Sequence, residues 1–197
     1  MDGQVDSRAT LKKLALELLI RNGYRGLNFG DIAKTAGTTR ANLHYHFGGK
    51  AELVDEVIAD YVSETLDQLA KIWEPRGTPL SAKVASMLDF SRARYRNFNP
   101  KGRPAGPWSL ISRLRQDKDV LTDAGRANLR RFTKELNGLF LKAAEDAAKS
   151  GELRSEVTPQ ALATLLVAIA DNAAPITMAG AGFRSLEAAY EAILALA

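Results

Sequence analysis

The sequence contains no cysteine and only two histidines, His44 and His46. Without cysteine there is no disulfide framework, no thiolate nucleophile and no cysteine-based zinc site. The two histidines stand at i and i+2 of a helix-period segment, where side chains diverge. No carboxylate cluster accompanies them, so no metal is expected. Long apolar runs are missing too. The most apolar stretch, Ala161 to Ala170, stops at Asp171 and Asn172, short of the roughly 18–20 residues a bilayer span needs. The opening MDGQVDSRAT carries no apolar signal region, which predicts a cytoplasmic chain that does not engage membranes. There is no G-x-S-x-G, no P-loop and no dinucleotide fingerprint. Adjacent acids such as Glu145-Asp146 diverge on a helix and read as solvated surface. Neither an enzyme nor a cofactor is expected.

What is present is a lopsided charge and a helical period. The 197 residues carry a formal net charge of +4. Residues 1–50 hold eight Lys/Arg against four Asp/Glu, and the remaining residues hold nineteen of each sign. The positive excess therefore lies in the first quarter, as a phosphate-binding surface requires, although a solvated face has the same composition. No alternation of apolar and polar residues lasts long enough for a strand, and a period of 3.6 dominates.

That period predicts an all-α chain of about nine helices. Leu11, Leu14, Ala15, Leu18 and Leu19 form one stripe from Ser7, a candidate cap, to Asn22, with Gly23 as stop. A short helix capped by Asn28 ends at Gly37. A second runs from Thr39 to Phe47, and a longer one from Lys50 to Trp73. Pro75, Gly77 and Pro79 separate it from Leu80–Asn97. The Pro/Gly-rich stretch 97–107 reads as a loop, either gating a pocket or merely connecting. Helices follow over Trp108–Gln116 and Thr122–Ser150. Thr158 caps the next with Pro159 at its first position; Pro175 should kink or end it, and Ser185 should cap the last.

The stretch Phe29–Phe47 carries the function. Two short helices around a tight turn describe a helix-turn-helix. Ala33 is small where the helices must approach, Gly37 can take the positive φ of the turn, and Leu43 returns to the core with Ile32 and Ala36. Thr39 can cap the second helix, whose outer face is left with Arg40, Asn42, His44 and Tyr45, side chains suited to phosphates and base edges.

The residues Gly23-Tyr24, Asp31-Ile32-Ala33, Ala36-Gly37, Leu43-His44-Tyr45-His46-Phe47, Lys50 and Leu53 together resemble the signature of TetR/AcrR-family regulators. The resemblance is dense over about residues 8–55. It implies a three-helix DNA-binding domain over 1–50 and a helical ligand-binding and dimerisation domain over 51–197. It also implies a palindromic double-stranded operator and a repressor released by a small apolar or amphipathic effector. Thr38, Thr39, Arg40, Asn42, His44, Tyr45, His46 and Lys50 match the positions that face DNA. The sequence departs from the family at His44, where tyrosine is usual, at Thr38, at Leu27 and at Gly49, a weak cap. A ligand-independent helical DNA-binding or adaptor protein is the competing expectation, with a helical enzyme the weakest alternative.

Two expectations concern the rest of the chain. Leu162, Leu165, Leu166 and Ile169, with Tyr190, Ile193 and Leu194 of the last helix, either fill an intrachain core or, as the resemblance implies, pair with a second subunit. Met87, Phe90, Tyr95, Phe98, Trp108, Asn137, Phe140, Asp171, Asn172 and Met178 could line a pocket. Asp171 and Asn172 stand out because they interrupt an apolar helix and a buried polar group needs a partner; they could instead meet across a dimer.

Overall fold

A computed structural model describes residues 3–100 and 105–197. Ten helices and no strand occur among them. The first is α1 (Gly3–Gly26), then α2 (Phe29–Ala36) and α3 (Arg40–Phe47). Helices α1 and α3 pack on α4 (Lys50–Trp73), and α2 packs on α1 and α3. Helices α5 (Leu80–Phe98), α6 (Leu110–Gln116) and α7 (Asp123–Lys149) follow. The chain closes with α8 (Pro159–Asp171), α9 (Ala173–Ala179) and α10 (Phe183–Leu196).

Helix boundaries follow local chemistry. Asn28, Thr39, Thr122 and Thr158 each accept a backbone N–H of the first turn through the side chain, satisfying donors that the helix itself leaves unpaired. Thr122 also donates to the Asp55 carboxylate at 2.6 Å, tying the start of α7 to α4. The core runs unbroken through the chain, from Leu11, Ala15 and Leu19 through Leu43 and Phe47 to Trp73 and Phe140, whose rings meet edge-on at 4.5 Å. At the end of α4 the buried Lys83 donates to the Trp73 and Pro75 carbonyls, each at 2.7 Å. Burial holds its pKa below that of a free lysine.

Three boundaries differ from expectation. The first helix begins at Gly3, so Ser7 lies inside it. It also continues beyond Gly23 to Gly26, bent where Gly23 takes φ 72° and ψ −178°. The expected single helix after Thr158 is two, which brings the count to ten. The bend of 61° falls at Asn172, three residues before Pro175. In a continuous helix the residue-175 N–H would bond the Asp171 carbonyl, and proline has none. The Ser112 hydroxyl donates to that carbonyl instead, at 2.8 Å. Finally, α10 starts at Phe183, and Ser185 lies within its first turn, accepting the Ala181 N–H at 2.9 Å. No single helix among the described residues is long and apolar enough to cross a membrane.

Candidate functional site

Helices α2 and α3 form the helix-turn-helix. Phe29, Ile32 and Ala33 are buried beneath α2, and Leu43 and Phe47 beneath α3. Gly37 makes the turn at φ 65°, the left-handed region where a Cβ is costly, and its N–H closes on the Ala33 and Lys34 carbonyls. With Leu43 and Phe47 fixed inward, the opposite face of α3 is determined. Arg40, His44 and Tyr45 are exposed on it, and Tyr45 is the most exposed large apolar side chain described, at 76%.

The expected DNA-facing residues fall into different circumstances. Thr39 caps α3 by accepting the Asn42 N–H at 3.2 Å. The Asn42 amide donates to the Thr38 hydroxyl at 3.0 Å, so both half-buried side chains are held in place. His44 Nδ1 lies 2.8 Å from the Gly48 carbonyl and its ring meets Phe29 at 4.8 Å. A carbonyl can only accept, so Nδ1 is the donor in this bond and Nε2 takes no part in it. This is what the departure from tyrosine does: it closes the end of α3. The Arg40 guanidinium lies against Gly30, where a Cβ would come within 2.5 Å of Nη2. It therefore sits at the positive start of α2, a favourable place for a phosphate. His46 is half-buried between the rings of Tyr45 and Phe47.

Lys50 opens α4 with its ammonium 4.4 Å from the centre of the Tyr24 ring. Burial lowers its pKa, and the nearby Asp117 partly offsets that. Not all of the N-terminal positive charge is available to DNA. Arg8 pairs with Glu56 at 2.6 Å, Lys12 with Asp60, and Arg25 with Asp119.

The second feature is a cavity of about 40 Å³ among α4, α5, α6, α7 and α8. It is lined by Met87, Phe90, Trp108 and Asp171, as expected from sequence. The other six expected residues lie elsewhere. Phe140 fills the core against Trp73, Tyr95 packs on Trp108 and Phe183, and Asn137 and Asn172 are exposed. Phe98 lies beneath the Arg21 guanidinium, and Met178 is 46% exposed. Sequence reading missed Tyr61, Thr65 and Arg94, which also line the cavity. The available signal was the i, i+4 spacing of Tyr61 and Thr65 on the inward stripe of α4, and Arg94 three residues after buried Ser91.

A structural joint links cavity and helix-turn-helix. Asp171 pairs with Arg115, and Arg115 also donates to Thr133 at 2.8 Å. Two residues on, at the C-cap of α6, the Asp117 carboxylate accepts the Tyr24 N–H at 2.8 Å. The C-terminal turn of one short helix thus holds both the cavity wall and the end of α1.

The expected interface residues also divide. Leu162, Leu166, Tyr190 and Ile193 are buried within the protomer, where they cannot meet a partner; Ile169 and Leu194 are half-buried; Leu165 is 44% exposed. The exposed faces are Ala161, Thr164, Leu165 and Ala168 on α8, and Ala188, Glu191, Ala192 and Ala195 on α10.

Known proteins resemble the chain most strongly over this N-terminal region. The family described as bacterial regulatory proteins, tetR family, matches residues 12–57. The HTH-type transcriptional regulator TtgR of Pseudomonas putida is 36% identical over 69 residues, 35% of this chain and 32% of that protein. The HTH-type transcriptional repressor KstR2 of Rhodococcus jostii is 25% identical over 158 residues, 79% of this chain and 72% of the relative. The match to TtgR spans about a third of that regulator's length. A solved TetR-family transcriptional regulator from Agrobacterium tumefaciens superposes with a TM-score of 0.84 over 97% of both chains at 20% identity, so the fold is shared end to end.

Proposed function

We propose that this chain, which through its N-terminal domain belongs to the tetR family of bacterial regulatory proteins, is a dimeric operator-binding repressor that a small effector releases. The observation that carries the reading is the face of α3: capped by Thr39, anchored by buried Leu43 and Phe47, and presenting Arg40, His44 and Tyr45 outward. It is a binding function rather than a catalytic one, and a regulator that must reach chromosomal DNA works in the cytoplasm. The domain boundary falls at Gly48-Gly49, leaving 1–50 for DNA and 51–197 for effector and partner.

Two copies would set α3 into successive major grooves, about 34–36 Å apart for adjacent turns. Arg40, Lys50 and the helix starts hold phosphates; His44 Nε2 and Tyr45 reach base edges. Asn42 serves first to hold Thr38 and the turn, and meets bases secondarily. The dimer forms through Leu165 and the small residues around it on α8, against the alanine-rich face of α10.

The cavity is too small for an effector of ring size, since 40 Å³ holds on the order of three waters. Binding therefore parts its walls, and α6 is one of them. Because Asp117 ties α6 to Tyr24, such a shift reorients the DNA-binding domain and changes half-site spacing. Couplings of this kind are worth about 1–3 kcal/mol, or about 5–150-fold in operator affinity.

Selection of bound genomic fragments by the purified protein at stated salt tests the reading. A short palindrome enriched above background is expected; no enrichment from folded protein overturns it. Lys50→Ala should weaken binding to all sequences and lower the salt slope by about 1 per half-site. An unchanged slope would remove Lys50 from the phosphate contacts. Asp117→Ala should leave effector binding intact while reducing the effector's influence on operator affinity, measured by titrating labelled operator with and without effector.

A further inference from the structure

Arg94 is the only cation among the described residues that line the central cavity. Its partners are neutral. Nη1 donates to the Tyr61 hydroxyl at 2.7 Å and Nη2 to the Thr65 hydroxyl at 3.1 Å. The guanidinium lies 4.3 Å from the centre of the Phe90 ring and 5.0 Å from that of Tyr61. No carboxylate among the described residues pairs with it, whereas neighbouring Arg92 meets both Asp89 and Glu187. Arg94 itself is half-buried, and Thr65 and Ser91 on its inner side are 3% and 2% exposed. Hydroxyl dipoles and ring faces orient a guanidinium but bring no counter-charge. An uncompensated cation in an apolar wall is costly, and its planar fork still has donors to spend.

The lining of the same cavity also holds an acceptor in the opposite situation. One oxygen of Asp171 is held by Arg115, and the other, Oδ1, is buried with no hydrogen-bond partner among the described residues. Most of the remaining lining is apolar, with Leu69, Met87, Phe132, Leu136 and Trp108 beside Ser91 and Ser109.

We propose that the effector is a small organic acid with an apolar, aromatic body, its carboxylate on Arg94 and a hydrogen-bond donor at its far end on Asp171 Oδ1. The inference rests on the reading of this cavity as the effector site. A planar carboxylate matches the fork of a guanidinium and supplies the missing charge. The orientation follows from the two ends: Arg94 offers donors without a counter-charge, whereas Asp171, already paired with Arg115, offers only an acceptor. Seating the acid draws on Tyr61 and Thr65 of α4, the helix that follows directly on α3, so the head group acts where the DNA-binding domain is attached.

Isothermal titration of the full chain with four compounds tests this: 3-phenylpropanoate, 3-(4-hydroxyphenyl)propanoate and the primary amide of each. The acids should bind at least about tenfold more tightly than their amides, and the hydroxylated acid should bind most tightly. Arg94→Met should bring each acid to within about twofold of its amide while leaving amide affinity in place; Arg94→Gln keeps the α4 hydrogen bonds and should show the same flattening. Thermal unfolding of both variants verifies folding, and the acid-to-amide ratio in the unmodified protein stands whatever the variants do. Amides that bind as tightly as acids overturn the inference, as do acids that bind Arg94→Met undiminished. If the amides bind best and also release operator DNA, the effector reading stands and the anion assignment falls. If none of the four binds, the anion assignment falls, and operator release by other compounds judges the effector reading separately.

Discussion

Gly23→Ala is expected to lower the stability of the protein by about 2–4 kcal/mol, more than an ordinary helix substitution. Two independent costs add. Gly23 takes φ 72° with ψ −178°, a combination essentially confined to glycine, and forcing another residue into it costs of order 1–3 kcal/mol. A Cβ would also overlap the Asp117 carboxylate and lie 2.8 Å from Arg113 Nε. These atoms have little room to retreat, because Asp117 accepts the Tyr24 N–H and Arg113 Nε is buried without a partner. In a chain of this size each kcal/mol moves the thermal midpoint by about 2–4 °C, so a fall of about 5–15 °C should be seen by circular dichroism. The double variant Gly23→Ala with Asp117→Ala separates the two costs: removing the carboxylate relieves the overlap, leaves the backbone strain, and should recover only part of the loss. A midpoint unchanged within about 2 °C would mean that α1 and α6 do not meet in this way. Since the same joint aims α2 and α3, operator affinity should fall along with stability.

Leu165→Glu should give monomers at micromolar concentration in sedimentation velocity and reduce operator affinity by about 100- to 10,000-fold. The size of the loss comes from avidity. In a dimer the second half-site meets its reading helix at the effective concentration set by the first, and a monomer forfeits that gain. The folded protomer should survive, because Leu165 is 44% exposed and makes no part of the buried core. Leu166, one residue on, is fully buried, and the same change there would unfold the chain rather than divide the dimer. The pair distinguishes surface from core: a folded Leu165→Glu monomer supports the assigned face, whereas a persistent dimer places the interface elsewhere.

Much of the helical frame, the helix-turn-helix included, was legible because its determinants are local. Asn28, Thr39, Thr122 and Thr158 cap the helices they were expected to begin, each through a hydroxyl or amide reaching a backbone N–H three residues away. The face of α3 was legible for the same reason: in eight residues with two apolar anchors, only one side is left for DNA. Pro175 marked a break, but its position at Asn172 depended on which group would take the orphaned Asp171 carbonyl, and Ser112 lies 59 residues away in sequence.

The sequence by itself determined an all-helical chain, the helix-turn-helix and the residues it turns outward, because caps, turns and a 3.6-residue period act over three or four positions. Tertiary structure alone decided the rest. An apolar stripe cannot say whether it meets its own chain or another, so Leu162 and Leu165 read alike until one was buried and the other left exposed. An arginine in a sequence of ordinary charge content reads as surface, and Arg94 became a cavity residue only when α5 met α4. The hydrogen bond joining Tyr24 to Asp117 spans 93 residues. No local pattern encodes such a contact, because it exists only when separate helices, each formed for its own reasons, are packed together around one core.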